Sequence, residues 1–347
     1  MSREQRLLRA LGAEAVWPPP VWLMRQAGRY LPEYRQVRAR VADFIALATT
    51  PELAAEVTMQ PVRRFGMDGA ILFSDILMLP WALGYGLAFR EGEGPVLPKL
   101  RDAAAIEALD LGRLEGAIAP ILETVRCVRA ALAAEAHDTA LIGFAGAPFT
   151  VACYMVEGGG SRDFANIRRM AFAEPALLDG LLERLTEATI AYLAAQAAAG
   201  AEALMLFDSW AGVLSPALFR RLVIAPAARI VAALRRNVPN VPVIGFPRLA
   251  GLMLAPYAAE TGVDAVGMDT AADPVLARAA VPPRVALQGN LDPLALLAGG
   301  AALEAETARI LAAMRGHPFV FNLGHGILPE TDPAQVARLV SQIRASV

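Results

Sequence analysis

Short apolar runs recur along the chain, each ending in polar residues, and between them apolar positions repeat at helical spacing. The runs cover 21–24, 69–73, 140–144, 203–207, 241–246, 265–268, 285–287 and 319–321. They do not alternate apolar with polar, which suits strands of a parallel sheet covered on both faces. Helical stretches fill the gaps. One opens at Thr50-Pro51-Glu52, a hydroxyl cap with proline at the first position and an acid in the first turn, and runs toward Arg64. Others cover 114–134 and 175–199, the latter with Leu177, Leu178, Leu181, Leu182 and Leu185 on one face and Gly200 at its end. Ser215-Pro216, Asp292-Pro293 and Asp332-Pro333 start three more, and 41–47 reads as a short helical piece. The Gly- and Pro-rich stretch 83–98 is long enough for a rim loop or a β-hairpin. Eight strand–helix units predict one α/β domain over 1–347, a single (β/α)8 barrel. The first ten residues are expected to form a short helix or a loose tail. No GxGxxG or P-loop follows the first strand, which argues against a dinucleotide-binding sheet.

Composition narrows the setting. Hydrophobic residues make up 56% and charged residues 19%, so the chain is globular rather than disordered. A net charge of -2 gives no support for nucleic-acid binding. Cys127 and Cys153 are too few for a disulfide framework and suit a reducing compartment. Residues 1–10 are charged and carry no apolar signal core. The longest apolar stretch, 141–156, is broken by Gly143, Gly146 and Pro148, so no membrane span is expected. The expectation is a soluble cytoplasmic protein.

In a barrel, chemistry gathers at the C-terminal ends of the strands. Those ends carry Arg25 and Arg29, Asp75, Tyr154, Asp208 and Ser209, Arg248, Asp269, Asn290 and His325. Arg25 and Arg29, four apart beside Gly28, suit a clamp for anions, because a guanidinium stays charged and matches a carboxylate bidentately. The plainer reading pairs them with Glu33 or Glu56. Asp75, among Phe73, Ile76 and Leu77, is either a helix cap or the partner of an arginine, or else a carboxylate that receives N–H donors or stabilises a cation. His325, between two glycines, is either a turn residue or a group titrating near neutrality. Tyr154 and Ser209 read by themselves as a core tyrosine and a capping serine. His137, His317 and His325 are the only histidines, and neither cysteine has zinc-motif spacing, so no metal site is expected. Lys99, the one lysine, lies away from any strand end, which disfavours pyridoxal phosphate.

The segment Pro20-Val21-Trp22-Leu23-Met24-Arg25-Gln26-Ala27-Gly28-Arg29-Tyr30-Leu31-Pro32-Glu33-Tyr34 resembles the N-terminal signature of the uroporphyrinogen decarboxylase family. Phe73-Ser74-Asp75-Ile76-Leu77, Gly143-Phe144-Ala145-Gly146-Ala147-Pro148-Phe149-Thr150, Leu287-Gln288-Gly289-Asn290-Leu291-Asp292-Pro293 and Asn322-Leu323-Gly324-His325-Gly326 resemble its further signatures. The resemblance covers nearly the whole chain. It implies a single barrel, a homodimer, no cofactor and no metal. The activity implied is removal of carboxyl groups from the four acetate arms of uroporphyrinogen III, giving coproporphyrinogen III through partly decarboxylated intermediates in tetrapyrrole and heme synthesis. By this resemblance Arg25 and Arg29 bind substrate carboxylates and the backbone of Gln26, Ala27 and Gly28 lines the pocket. Asp75 accepts from pyrrole N–H groups, and Tyr154, Ser209 and His325 line the rest. Leu249 departs from the pattern, standing where bacterial members usually carry glycine. Trp210 follows Ser209 at a position where several aromatics occur. Two other readings are a related corrinoid methyltransferase, which would need zinc held by His and Cys, and a tetrapyrrole-binding protein without catalysis.

Overall fold

Seven of the eight apolar runs pair side by side as parallel strands in a computed structural model that describes residues 5–90, 94–135 and 137–346. The strands in chain order are β1 (Gly69–Ile71), β2 (Ala88–Arg90), β3 (Gly94–Val96), β4 (Ala140–Gly146), β5 (Ala203–Asp208), β6 (Val243–Pro247), β7 (Ala265–Gly267), β8 (Ala286–Leu291) and β9 (Phe319–Leu323). The main sheet has the order β1-β4-β5-β6-β7-β8-β9, so each strand lies beside its chain neighbour. Its residues are almost all buried, as expected where helices return over a parallel sheet. β2 and β3 form a separate antiparallel hairpin, which is the hairpin option for the 83–98 stretch; the tip, 91–93, lies outside the described residues.

The first run, Val21–Met24, differs from expectation. It forms one parallel bridge, Val21 to Phe321, rather than a ladder strand. The reason is local: Pro18, Pro19 and Pro20 offer no N–H before it, and the chain turns at Arg25, whose φ is +61°. Even so, the run touches both edge strands. Trp22 N–H donates to the Phe321 carbonyl at 3.3 Å, Phe321 N–H to the Pro20 carbonyl at 2.8 Å, and Asp68 N–H to the Val21 carbonyl at 2.8 Å.

Helix bounds follow the sequence signals closely. Leu114–Ala134 and Pro175–Ala199 are as read, and Gly200 closes the second with φ +124°. Asp292 and Asp332 cap their helices by accepting from Leu294 and Ala334 N–H. Thr50 does not cap the helix Pro51–Phe65; its hydroxyl donates backward to the Ala46 carbonyl at 2.7 Å, the competing local bond open to threonine. Near the chain start Arg6–Leu11 is helical with Leu7 and Leu11 buried. The run 285–287 extends through Leu291 because the polar residues within it find partners: the Gln288 side chain accepts from the Trp22 indole N–H at 3.0 Å, and Asn290 donates to the Asp269 and Ala272 carbonyls.

The sheet opens between β1 and β4 at their C-terminal ends. β1 stops at Ile71, and Phe73 N–H turns away to the Thr58 hydroxyl. Phe144 is thereby left without a strand partner on that side. The buried Gln196 amide replaces it, accepting from Phe144 N–H and donating to its carbonyl, each at 2.9 Å. Among the described residues no helix is long and apolar enough to cross a membrane.

Candidate active site

The turn that carries Arg25 is held from several sides. Buried Gln26 accepts from Leu23 N–H at 3.0 Å and donates to the Gly69 carbonyl at 2.9 Å. The Tyr30 hydroxyl donates to the Gln26 carbonyl at 2.8 Å, and the Asn322 side chain accepts from Met24 N–H at 2.9 Å. These bonds hold Arg25 in the left-handed region, which an L-residue adopts at a cost of about 1–2 kcal/mol. The arginine stem then crosses Gly326, where an added Cβ would stand 2.3 Å from Arg25 Cδ. The plainer partners are taken elsewhere: Glu33 pairs with Arg64 at 3.1 Å and Glu56 with Arg40 at 3.9 Å. Arg25 and Arg29 therefore form no ion pair among the described residues.

Asp75 lies in the turn after β1. Its Oδ1 accepts from Leu77 N–H at 2.8 Å, leaving Oδ2 without a hydrogen-bond partner among the described residues. The residue is half-buried. Burial pushes its pKa up, while Leu77 N–H and then the Arg25 guanidinium pull it back. The helix-cap reading does not hold, since the next helix, Met78–Ala82, begins after Leu77; Oδ1 closes the local turn instead, and Oδ2 has no hydrogen-bond partner among the described residues.

His325, Tyr154 and Arg248 share the same field. Burial, then Arg248, then Arg25 lower the His325 pKa to about 4, so its imidazole is neutral near pH 7. Tyr154 sits on the helix Pro148–Glu157; burial raises its pKa, the Trp210 indole opposes that, and Asp75 and Arg25 both act on it more weakly. The Trp210 ring lies 6.1 Å from Tyr154 and 4.6 Å from Phe164, and the Arg248 guanidinium lies 5.9 Å from the Trp210 ring. Thus Arg25 acts on Asp75, Tyr154 and His325, and Arg248 on His325, bringing together groups from four loops and the helix Pro148–Glu157. Trp210 and Arg248 are the members that strand-end reading left without a role; a cation beside an aromatic on the neighbouring loop is visible only in three dimensions.

Other strand-end groups are engaged elsewhere. Asp269 accepts from Leu249 N–H at 2.6 Å and Ala271 N–H at 2.8 Å. Asp208 accepts from the Thr150 hydroxyl at 2.5 Å. Gln26 reaches no open space with its side chain, and Ala27 and Gly28 are half-buried beside it. Arg25 and Arg29 are both exposed; Arg25 acts on Asp75, whereas Arg29 acts on Tyr34. Ser209 is half-buried between Asp208 and Trp210.

This arrangement suits a polyanion bearing N–H groups. Guanidiniums can grip carboxylates, and half-buried Asp75 has one oxygen without a hydrogen-bond partner among the described residues. Cys153 is buried with its thiol pKa pushed far up, so it is no nucleophile. Among the described residues no three His, Cys, Asp or Glu side chains are placed to hold a metal ion. Two shallow outer grooves, one beside Trp17 and Arg315 and one beside Glu304 and Arg338, lie away from these groups.

Comparison with known proteins agrees with the geometry. The family model described as uroporphyrinogen decarboxylase matches residues 2–346. A protein of Granulibacter bethesdensis named uroporphyrinogen decarboxylase is 64% identical over 97% of this chain and 98% of its own length. One of Acidiphilium cryptum with the same name is 60% identical over 99% of this chain and 94% of its own. Among solved structures, a methyltransferase from Methanosarcina mazei matches with a TM-score of 0.80 at 22% identity, covering 97% of each chain; at that identity it speaks to fold alone.

Proposed function

The chain belongs to the uroporphyrinogen decarboxylase family, and we propose that the cleft holding Arg25, Asp75, Tyr154, Arg248 and His325 is where its reaction takes place. The protein is a carboxy-lyase of heme biosynthesis, removing the acetate carboxyl groups of uroporphyrinogen to give coproporphyrinogen and CO2.

Loss of CO2 from an acetate arm leaves an electron pair that needs an acceptor. Protonation of the pyrrole at ring carbon provides one, because the ring becomes cationic and takes up the pair as the C–C bond breaks. A proton then returns to the exposed methylene and the ring proton leaves, so that one H⁺ replaces one CO2. A fixed anion beside the ring stabilises the cation before the bond breaks, and it is worth most where water is excluded. Asp75, with Oδ2 unpartnered among the described residues, fits that position. Arg25, Arg29 and Arg248 hold and orient the acid arms. Tyr154 and neutral His325 give hydrogen bonds without adding charge. Ser209 and the Gln26–Gly28 backbone complete the lining.

The observation that carries this reading is half-buried Asp75, with one carboxylate oxygen unpartnered among the described residues and the Arg25 guanidinium acting on it. Purified protein incubated with uroporphyrinogen III and no added metal is expected to release CO2 and accumulate coproporphyrinogen; absence of both products would overturn it. The methyltransferase reading draws on likeness at 22% identity, against 64% for a decarboxylase relative.

Four further readings belong with this one. Hydrogen bonds from the Val21 run to both edge strands support closure of the sheet into an eight-unit barrel. One continuous apolar core from Leu7 to Ile343 supports a single domain. Exposed Leu249, Leu252, Val275, Leu276 and Leu294, all on loops or helix starts after β6, β7 and β8, support a homodimer through that rim. Free Cys127 and Cys153 agree with a reducing, cytoplasmic setting.

A further inference from the structure

We propose that the buried Thr150–Asp208 pair is a positioning device that fixes the Trp210 side of the cleft and thereby sets how tightly substrate is held. This rests on the decarboxylase reading and goes beyond it, because neither residue faces the open space.

Thr150 is fully buried in the first turn of the helix Pro148–Glu157. Its hydroxyl donates to Asp208 Oδ1 at 2.5 Å and accepts from Trp210 N–H at 3.1 Å. One hydroxyl therefore joins the end of β5 to the turn that follows it. Tyr154 lies one helical turn beyond Thr150, on the same face of that helix. From the other side, Arg248 N–H donates to the Asp208 carbonyl at 3.1 Å, and Gly212 N–H donates to the Arg248 carbonyl at 3.1 Å. Three segments that supply the cleft, those of Tyr154, Ser209–Trp210 and Arg248, thus meet at Thr150 and Asp208.

Their chemistry argues against simple packing. Asp208 is 2% exposed, and a carboxylate so placed opposes folding unless its hydrogen bonds compensate. An apolar pair of the same shape would fill the space with less strain on stability. What such a pair would lose is direction, since the hydroxyl is what receives the Trp210 N–H. The Trp210 ring, packed on Phe164 at 4.6 Å and beside Tyr154 at 6.1 Å, carries that placement of its backbone to the Tyr154 side of the site.

The test is steady-state kinetics on full-length protein with uroporphyrinogen III. Thr150→Val keeps the shape and removes both hydrogen bonds; KM is expected to rise about tenfold with kcat within about twofold of wild type. Thr150→Ser restores the hydroxyl and is expected to return KM to within about twofold of wild type. Asp208→Leu and Asp208→Asn form a second pair that reads the same contact should the valine variant fail to fold: leucine is expected to raise KM, and asparagine, still an acceptor, to leave it near wild type. Unchanged KM in both Thr150→Val and Asp208→Leu, whatever their melting temperatures, would overturn the proposal, as would failure of serine to rescue. Wild-type turnover in the same assay separately tests the decarboxylase reading.

Discussion

Asp75 combines two demands that pull in opposite directions. Burial disfavours its charge, while Leu77 N–H and Arg25 favour it. A carboxylate held this way gains most from a cation formed beside it. Asp75→Asn keeps the size and the Leu77 acceptor but removes the charge. Turnover is expected to fall by about 10²–10³-fold with little change in melting temperature, measured as coproporphyrinogen formed per enzyme. Near-normal kcat would remove Asp75 from the mechanism. Gly326 is the corresponding prediction for Arg25. A methyl group there would meet the Arg25 stem at 2.3 Å, and the arginine side chain, being flexible, would move. Gly326→Ala is therefore expected to fold normally and to raise KM by about tenfold, the loss of roughly one charge-assisted hydrogen bond. Unchanged KM would mean Arg25 reaches substrate by another path. The motifs offered these residues as candidates. Which oxygen of Asp75 stays unpartnered among the described residues, and that Arg25 rather than Arg29 acts on it, was not legible there, because both depend on contacts between distant parts of the chain.

At the scale of elements, turns decide more than strands do. The apolar runs marked the sheet because a strand buried on both faces must be apolar throughout. The exception, Val21–Met24, failed as a ladder strand for reasons also written in the chain: three prolines ahead of it and a turn directly after. Leu249 is the other informative position. It sits at φ +57°, where the resemblance expects glycine, with its N–H fixed by Asp269. Its side chain is 48% exposed, so burial offsets little of the strain. Leu249→Gly is expected to stabilise the fold by up to about 1 kcal/mol, the left-handed cost less the added chain entropy. Thermal melts at fixed protein concentration check this, and a clear fall in Tm would show that Leu249 is held by contacts outweighing its backbone strain.

For the whole molecule, buried Asp208 and half-buried His325 give stability opposite pH dependences. Asp208 is pushed up to about 7 by burial, against the pull of Thr150. Between about pH 4 and 7 the folded chain therefore binds more protons there than the unfolded chain, and this contribution to stability declines as pH rises. His325, lowered to about 4, acts the other way: the unfolded chain binds more protons between about 4 and 6.5, so stability grows with pH through that window. Asp208→Asn removes the first effect. Its stability relative to wild type is expected to increase from pH 4 to 7 and level off above, by a few kcal/mol at most. Denaturant melts across that range check it, and a difference independent of pH would mean Asp208 does not titrate there. The apolar rim after β6 to β8 makes a separate prediction. Leu252, 96% exposed, and Leu276, 69% exposed, should lie in the dimer contact. Leu252→Asp with Leu276→Asp is expected to shift the sedimenting species from dimer to monomer, and an unchanged species would move the interface elsewhere.

The sequence by itself determined the alternation of strand and helix, the helix ends at Gly200, Asp292 and Asp332, and the residue types available to the cleft. These follow from local physics: burial pattern, backbone conformation and capping act within a few residues. Tertiary structure decided which charges remain available. Asp75, Asp208 and Asp269 look alike as acids at strand ends. Asp208 is bound to Thr150, 58 residues away, and Asp269 to Leu249, 20 residues away, whereas Asp75 keeps one oxygen unpartnered among the described residues. A hydrogen bond across that separation forms only once the sheet has brought the two strand ends together, and no local pattern in the chain records it.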